Sequence, residues 1–199
     1  PAGFSYEKFF EQLDNKYPSA FVYLFYLPGK GIWSGASPET LIQKENNFYE
    51  TMALAGTRRI EKDSEKVIWQ QKELEEQAFV SKYIDDQLKK LDIQSYHRYP
   101  EETVRAGKLV HICTRFQISD KVLKAKLGKL VKALHPTPAV CGLPREKAWD
   151  LIREIEKHNR RFYTGFLGPW NLDEKQHLFV NLRCGQFHAN TLDMYVGGG

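Results

Sequence analysis

Cysteine is scarce in this 199-residue chain: Cys113, Cys141 and Cys184 are odd in number, far apart and form no C-x-x-C pair. That excludes a disulfide framework and a cysteine zinc site, and it fits a reducing, cytoplasmic setting. No apolar run approaches the roughly 18 residues that begin to suggest a membrane span. The start, Pro1-Ala2-Gly3-Phe4-Ser5, has neither the basic segment nor the apolar stretch of a secretory signal. Neither export nor membrane embedding is expected. No sign of charge dominates: 29 Lys and Arg are interspersed with 25 Asp and Glu, a formal net charge of +4. Nucleic acid binding usually draws a clustered basic face, whereas this balance fits a small acidic ligand. Internal repeats and low-complexity linkers are lacking as well, so residues 1–199 read as one domain. An initiator Met is missing and the chain stops at Gly197-Gly198-Gly199. We therefore expect a piece of a longer protein.

What is present alternates between strand and helix signals. The apolar, aromatic run Ala20 to Leu27 ends on Pro28-Gly29 and reads as a buried strand followed by a turn. Phe48 to Ala55, Lys108 to Ile118, His177 to Phe187 and Leu192 to Val196 read as further strands, the last two as a hairpin across His188-Ala189-Asn190. Helices are expected over about Ser64 to Leu91, Lys121 to Leu134, and Pro144 to Arg161, with Pro144 near a first turn. The order is mixed, without regular βαβ alternation, so the fold class is α+β. Leu91 to Gly107 is polar and carries Pro100, a surface excursion. Leu123, Leu127, Leu130 and Leu134 recur at helical spacing with lysines mostly between them, which reads as a core stripe under a solvated face.

Several segments could carry chemistry. His135-Pro136-Thr137-Pro138-Ala139 through Pro144 locks a backbone with three prolines, frees it at Gly142 and presents small side chains, a wall suited to a ligand. Ser37-Pro38-Glu39 has the look of a helix start, with Ser37 as N-cap; an acid in a first turn gains roughly 0.3 to 1 kcal/mol from the helix dipole. A helical wheel places Glu76 among Phe79, Val80 and Tyr83, where a charge needs a partner, Lys72 being the ordinary one. Ala53-Leu54-Ala55 ends on Gly56-Thr57-Arg58, where backbone N–H groups lie open to an anion. His111 sits mid-strand, the usual place of a hydrogen-bonded core histidine. Arg183, in Asn181-Leu182-Arg183-Cys184, reads as an arginine buried in an apolar strand, which demands an anion.

Taken together, Gly35-Ala36-Ser37-Pro38-Glu39, Ala53-Leu54-Ala55-Gly56-Thr57-Arg58, Lys72-Glu73-x-x-Glu76 and the proline-rich segment resemble the chorismate-utilising enzymes, over about residues 20–199, and among them isochorismate synthases most closely. The resemblance implies that Glu39 is the general acid that protonates the departing hydroxyl of chorismate. It implies that Glu76 holds Mg²⁺ against a substrate carboxylate, with Gln77 standing where the family often has His. Gly56, Thr57 and Ala139 would line the substrate site, and His111 would face its ring as a catalytic residue. Arg183 would clamp a substrate carboxylate, with Tyr195 packing beside it and the Gly197 N–H reaching the same group. Glu156-x-x-x-Arg160-x-x-Tyr163-x-Gly165 also matches family spacing and is read as architecture.

The residue at position 139 discriminates among reactions. Ammonia-using and salicylate-forming relatives carry Thr there, whereas His-Pro-Thr-Pro-Ala resembles isochorismate synthases. The expected reaction is water addition at C2 with loss of the C4 hydroxyl, for menaquinone or siderophore synthesis, with no obligate protein partner. Anthranilate or salicylate synthesis, and a non-catalytic binding domain, are the alternatives. The family's general-base Lys has no counterpart before Gly35, where Lys8, Lys16 and Lys30 are no substitutes. The second Mg²⁺ glutamate and a substrate-binding Lys of the family would follow the glycine-rich end. These 199 residues alone are therefore expected to be inactive.

Overall fold

The computed structural model describes residues 3–60, 67–106, 109–172 and 175–197. In chain order its elements are α1 (Tyr6–Lys16), β1 (Phe21–Leu27), β2 (Gly31–Ser37), β3 (Thr40–Glu45), β4 (Phe48–Arg59), α2 (Gln71–Lys90), β5 (His97–Arg98), β6 (Glu102–Ala106), β7 (Leu109–Ser119), α3 (Asp120–Leu123), α4 (Leu127–Leu134), α5 (Pro138–Cys141), α6 (Arg145–Ile155), β8 (Phe166–Leu167), β9 (Trp170–Leu172), β10 (Lys175–Val180), β11 (Cys184–Phe187) and β12 (Leu192–Tyr195). The architecture is α+β, with antiparallel sheets and helices, and it divides into two compact units: Pro1–Thr40 with Lys157–Gly199, and Leu41–Glu156.

The discontinuous unit is organised by a four-stranded sheet in the order β1-β2-β11-β12. Trp33, with no exposed surface, centres its core together with Tyr23, Tyr163 and Cys184. Trp33 and Tyr23 each find a partner for the polar end of the ring, as burial requires. Trp33 Nε1 donates to the Lys30 carbonyl at 3.0 Å, and the Tyr23 hydroxyl donates to Asn181 Oδ1 at 2.6 Å. Burial pushes the Tyr23 phenol far above its usual range. Ser5 caps α1 by accepting from the Lys8 N–H at 3.2 Å, and Phe4, Tyr6 and Phe9 gather their rings around Phe187.

The expected strand over His177 to Phe187 is two strands, β10 and β11, separated at Asn181-Leu182-Arg183. Asn181 breaks the run: its buried amide donates to the Phe162 carbonyl at 2.8 Å and its carbonyl oxygen receives Tyr23. Arg183 follows with φ of 50°, a left-handed conformation outside the extended region of a regular strand. The hairpin across His188 to Asn190 forms as expected, Phe187 opposite Leu192.

The contiguous unit pairs β4 with β7 antiparallel from Phe48↔Ser119 to Arg59↔Leu109. The order is β5-β7-β4-β3, with β6 also paired to β7. Residues alternate between buried and partly exposed along β4 and β7, as one-sided burial dictates. The helix expected from Ser64 begins at Gln71, and Ser64 to Lys66, like Lys108, lie outside the described residues. The expected Lys121–Leu134 helix is two helices, α3 and α4: the Lys126 N–H bonds the Leu123 carbonyl at 2.7 Å, tightening the turn, while its ammonium donates to the Asp92 carbonyl at 2.7 Å. Leu123, Leu130 and Leu134 are buried beneath exposed lysines, as the spacing predicts. The last helix stops at Ile155, short of Arg161; beyond it Asn159 Oδ1 accepts from the Arg161 N–H at 2.8 Å, a local turn that competes with helix. The polar stretch after Leu91 is exposed over most of its length, yet β5 and β6 within it pair with β7. Among the described residues no helix is long and apolar enough to cross a membrane.

Candidate active site

In the contiguous unit the site is built around one glycine. The β4–β7 register shifts between Ala55 and Thr57, and Gly56 occupies that bulge with φ of 68°. A Cβ there would lie 3.1 Å from Glu73 Cβ and 3.2 Å from Ile112 Cδ1, so α2 packs as closely as it does only against glycine. The bulge brings Thr57 opposite His111, and Thr57 Oγ1 and His111 Nδ1 share a hydrogen bond at 3.0 Å. The expected hydrogen-bonded strand histidine is present, half-buried, with its partner on the adjoining strand.

Glu73 starts α2: its carboxylate accepts from the Gln70 N–H at 3.0 Å in a capping box. The wheel placed Glu76 in an apolar face, and the structure corrects this. Glu76 is exposed, as are Lys72 and Phe79, and the face directed at the sheet carries Gln77, Ser81, Ile84 and Leu88. Among the described residues Glu76 forms no ion pair with Lys72, because a charge already in water needs none.

The proline-rich segment contains a helical turn where the sequence suggested a rigid loop. Thr137 precedes it, Pro138 opens α5, and Gly142 with φ of 92° ends it; His135–Pro136 and Leu143–Pro144 are cis. The Ala139 methyl is exposed on that turn. Arg145, which sequence reasoning passed over, ties it down. Its guanidinium donates to the Ala133 and His135 carbonyls at 3.0 and 3.4 Å and to the Tyr83 hydroxyl at 3.2 Å. Tyr83 in turn donates to the Ala133 carbonyl at 2.6 Å. Burial raises the Tyr83 pKa, and Arg145 partly offsets it. The available signal was an arginine at the start of a helix, a place where the dipole disfavours a cation.

In the discontinuous unit Glu39 is not in a helix. Ser37 ends β2 and Pro38-Glu39 leads extended into β3, because a strand partner, absent from local sequence, claims the backbone. The Ser37 hydroxyl donates to the Val180 carbonyl and accepts from the Leu182 N–H at 3.4 Å. The Glu39 carbonyl accepts from the Val180 N–H at 2.9 Å, and the Arg183 carbonyl from the Ala36 N–H at 3.2 Å. These bonds zip residues 36–39 to residues 180–183, so Glu39 and Arg183 sit on adjoining segments. The Glu39 side chain is half-buried; Arg183 is exposed, which corrects the expectation of a buried arginine. Tyr195 stacks on Trp33 and on Tyr163, each at 5.5 Å between centroids, and burial raises its pKa. A Cβ on Gly197 would collide with the Tyr163 hydroxyl.

Each unit thus gathers part of the expected set: Gly56, Thr57 and His111 beside α2 in one; in the other, Glu39 and Arg183 on paired segments, and Tyr195 and Gly197 both against Tyr163. No group of three or more His, Cys, Asp or Glu that could cage a metal occurs among the described residues. Glu76 instead offers one water-exposed carboxylate. That fits Mg²⁺, which keeps several waters and is commonly held by one or two carboxylates together with substrate oxygens.

A family profile described as chorismate binding enzyme matches residues 1–199. The vibriobactin-specific isochorismate synthase of Vibrio cholerae is 29% identical over 174 residues, 83% of this chain and 44% of that protein. The isochorismate synthase MenF of Escherichia coli is 30% identical over 186 residues, covering 89% of this chain and 42% of its own length. Among solved structures, one described as a 2,3-dihydroxybenzoate-specific isochorismate synthase, DhbC, from Bacillus anthracis superimposes with a TM-score of 0.80 at 28% identity, over 95% of this chain and 53% of that one. The chain spans about half the length of the curated relatives it matches.

Proposed function

Because the chain belongs to the chorismate binding enzymes, matched from residue 1 to 199, we propose that its protein is an isochorismate synthase. The observation that carries this reading is Ala139, an exposed methyl on α5, in a chain similar to isochorismate synthases over more than four-fifths of its length. A hydroxyl at that position would offer a polar contact to the substrate ring; a methyl offers none. The reaction is addition of water at C2 of chorismate and departure of the C4 hydroxyl as water, which conserves atoms and needs no redox partner.

Glu39 is the general acid. Its backbone is fixed by the Val180 bond, so the half-buried carboxyl has a defined origin from which to deliver a proton. The Thr57–His111 bond orients the imidazole: when the Thr57 hydroxyl donates to Nδ1, Nε2 carries the proton and donates to the ring substituents. Arg183, exposed and therefore free of a core carboxylate, binds a substrate carboxylate bidentately. Glu76 would hold Mg²⁺, which would supply positive charge to neutralise a substrate carboxylate. Tyr195 and Gly197 pack beside the same group, and Gly56 keeps the bulge open. The product would feed menaquinone or siderophore synthesis in the cytoplasm.

The test follows chorismate by chromatography with the full protein, Mg²⁺ and no ammonia. Isochorismate should appear, and Glu39→Gln should lower kcat by about 10²- to 10⁴-fold with the fold intact, the range expected of a general acid. Salicylate as the product would replace the reading with a synthase that also eliminates pyruvate, and an intact, folded protein without turnover would leave only a binding domain.

A further inference from the structure

We infer that Gln77 is a positioning residue: its buried amide joins β4, β7 and α2 and sets the rotation of α2 that presents Glu76. The inference rests on the metal role proposed for Glu76.

Gln77 has no exposed surface, and its Nε2 lies 3.0 Å from the Ala53 carbonyl, 3.1 Å from Thr114 Oγ1 and 3.3 Å from Ser81 Oγ. Ala53 and Thr114 are direct partners across β4 and β7, so one side chain contacts both members of a single cross-strand pair. Ser81 lies one turn further along the same helix. Burial of apolar surface is non-directional, whereas an N–H aimed at a carbonyl fixes both distance and angle. The amide therefore selects one helix rotation where a leucine of similar size would tolerate several. That selection carries a cost, because Gln77 Oε1 is buried with no hydrogen-bond partner among the described residues. A residue chosen for packing alone would not leave an acceptor unmet.

What the rotation controls lies on either side. Glu76 is the preceding residue, about 100° round the helix and on its exposed face. Glu73, one turn earlier, packs its Cβ and carbonyl over Gly56, the glycine whose bulge pairs Thr57 with His111. A small turn of α2 would swing the Glu76 carboxylate and press Glu73 onto the bulge at once. Imidazole at this position could also donate to the Ala53 carbonyl while carrying no orphan oxygen, so His is the conservative replacement and Met the disruptive one of similar shape.

The experiment measures Mn²⁺ binding by its EPR signal, with chorismate present, and thermal unfolding, for the full chain and its Gln77→Met, Gln77→His, Thr114→Val and Glu76→Gln variants. Removing a group that orients a metal ligand typically weakens metal binding by about 10- to 100-fold. Gln77→Met should therefore weaken Mn²⁺ binding at least about 10-fold while the variant still unfolds cooperatively, Gln77→His should restore it, and Glu76→Gln should abolish it. Thr114→Val removes one partner of the amide without touching the helix, and should weaken binding in the same direction even if Gln77→Met does not fold. Unchanged Mn²⁺ affinity in Gln77→Met, or in Thr114→Val, alongside its loss in Glu76→Gln would overturn the positioning role and leave the metal role standing. Loss in Gln77→Met that Gln77→His does not repair would overturn it also. Unchanged affinity in Glu76→Gln would overturn the metal role itself.

Discussion

The two units of this chain solve the same problem, holding candidate site residues on rigid backbone, in opposite ways. The Leu41–Glu156 unit is one continuous stretch in which β4, α2 and β7 follow in order, and its site features arise from neighbours in that run: a bulge in β4, the next helix packed over it, the next long strand across from it. The other unit is closed by segments from opposite ends of the chain. Its central polar bond, Tyr23 to Asn181, spans 158 positions, and the segments that carry Glu39 and Arg183 meet only because residues 36–39 are zipped to residues 180–183. Loop-closure entropy must be overcome before such long-range contacts stabilise anything, so the discontinuous unit depends on a few buried polar ties.

The largest expected effect comes from breaking the longest of those ties. Asn181→Leu strands the buried Tyr23 hydroxyl and the Phe162 carbonyl, and unmet buried groups cost about 1 to 3 kcal/mol each. We expect about 2 to 5 kcal/mol lost in urea unfolding. Thiol alkylation reads which unit opens: burial pushes both Cys184, in the discontinuous unit, and Cys113, in the contiguous one, up to about 11. Asn181→Leu should speed labelling of Cys184 below the main transition and leave Cys113 slow. Equal acceleration at both would mean that the units open together and the contrast is one of construction only.

A smaller effect is expected from the contiguous side. Gly56→Val forces a β-branched residue to a φ of 68° and presses on Glu73 and Ile112. The left-handed conformation costs about 1 to 2 kcal/mol and overpacking a further 1 to 3. We expect about 2 to 4 kcal/mol in total, together with an upfield or downfield move of the His111 ring protons in NMR as the Thr57 bond is disturbed. An undisturbed His111 resonance would show that the bulge does not set that pair.

The smallest effect is a pH dependence. His177 is half-buried, its Nε2 hydrogen-bonded to Thr40 Oγ1 at 2.8 Å and its ring stacked on Phe179. Burial holds its pKa below the ordinary 6.5 in the folded state. The unfolded chain therefore binds the proton more readily, so stability is full above pH 6.5 and falls as the pH drops below that value toward the folded pKa. Urea midpoints measured from pH 7.5 to 5 should decline, and His177→Gln should flatten the decline. An unchanged slope in that variant would place the acid sensitivity elsewhere.

Legibility in the sequence follows the reach of the contacts that decide each element, in both units. The β4 strand, the strand histidine and the hairpin after Phe187 were readable, because each rests on local backbone preference; Gly56 read as the end of its strand, whereas it is a bulge within β4, which stays paired with β7 as far as Arg59. Ser37-Pro38-Glu39 misled: its residues suit a helix start, yet distant residues 180–182 bind that backbone as extended chain. Arg183 misled for a related reason, since Asn181 draws the chain out of β10 to meet Tyr23. In the contiguous unit the helix expected over Lys121 to Leu134 is two, the one from Pro144 stops at Ile155, and the wheel buried the wrong face of α2. Phe79 outscored Gln77 in hydrophobicity, but the sheet offered a carbonyl and a hydroxyl at the contact, and an amide satisfies those where a phenyl ring cannot.

By itself, the sequence determined the α+β class, most strands, the prolines that confine residues 136–144 and the motifs that mark the family. It could do so because these depend on neighbours within a few residues. Only the tertiary structure decided which side of α2 faces the sheet, that Glu76 and Arg183 lie in water, and that Arg145 clasps the turn bearing Ala139. Burial and hydrogen-bond partners are properties of what comes to lie alongside, and for these residues that was set by chain far from them in sequence.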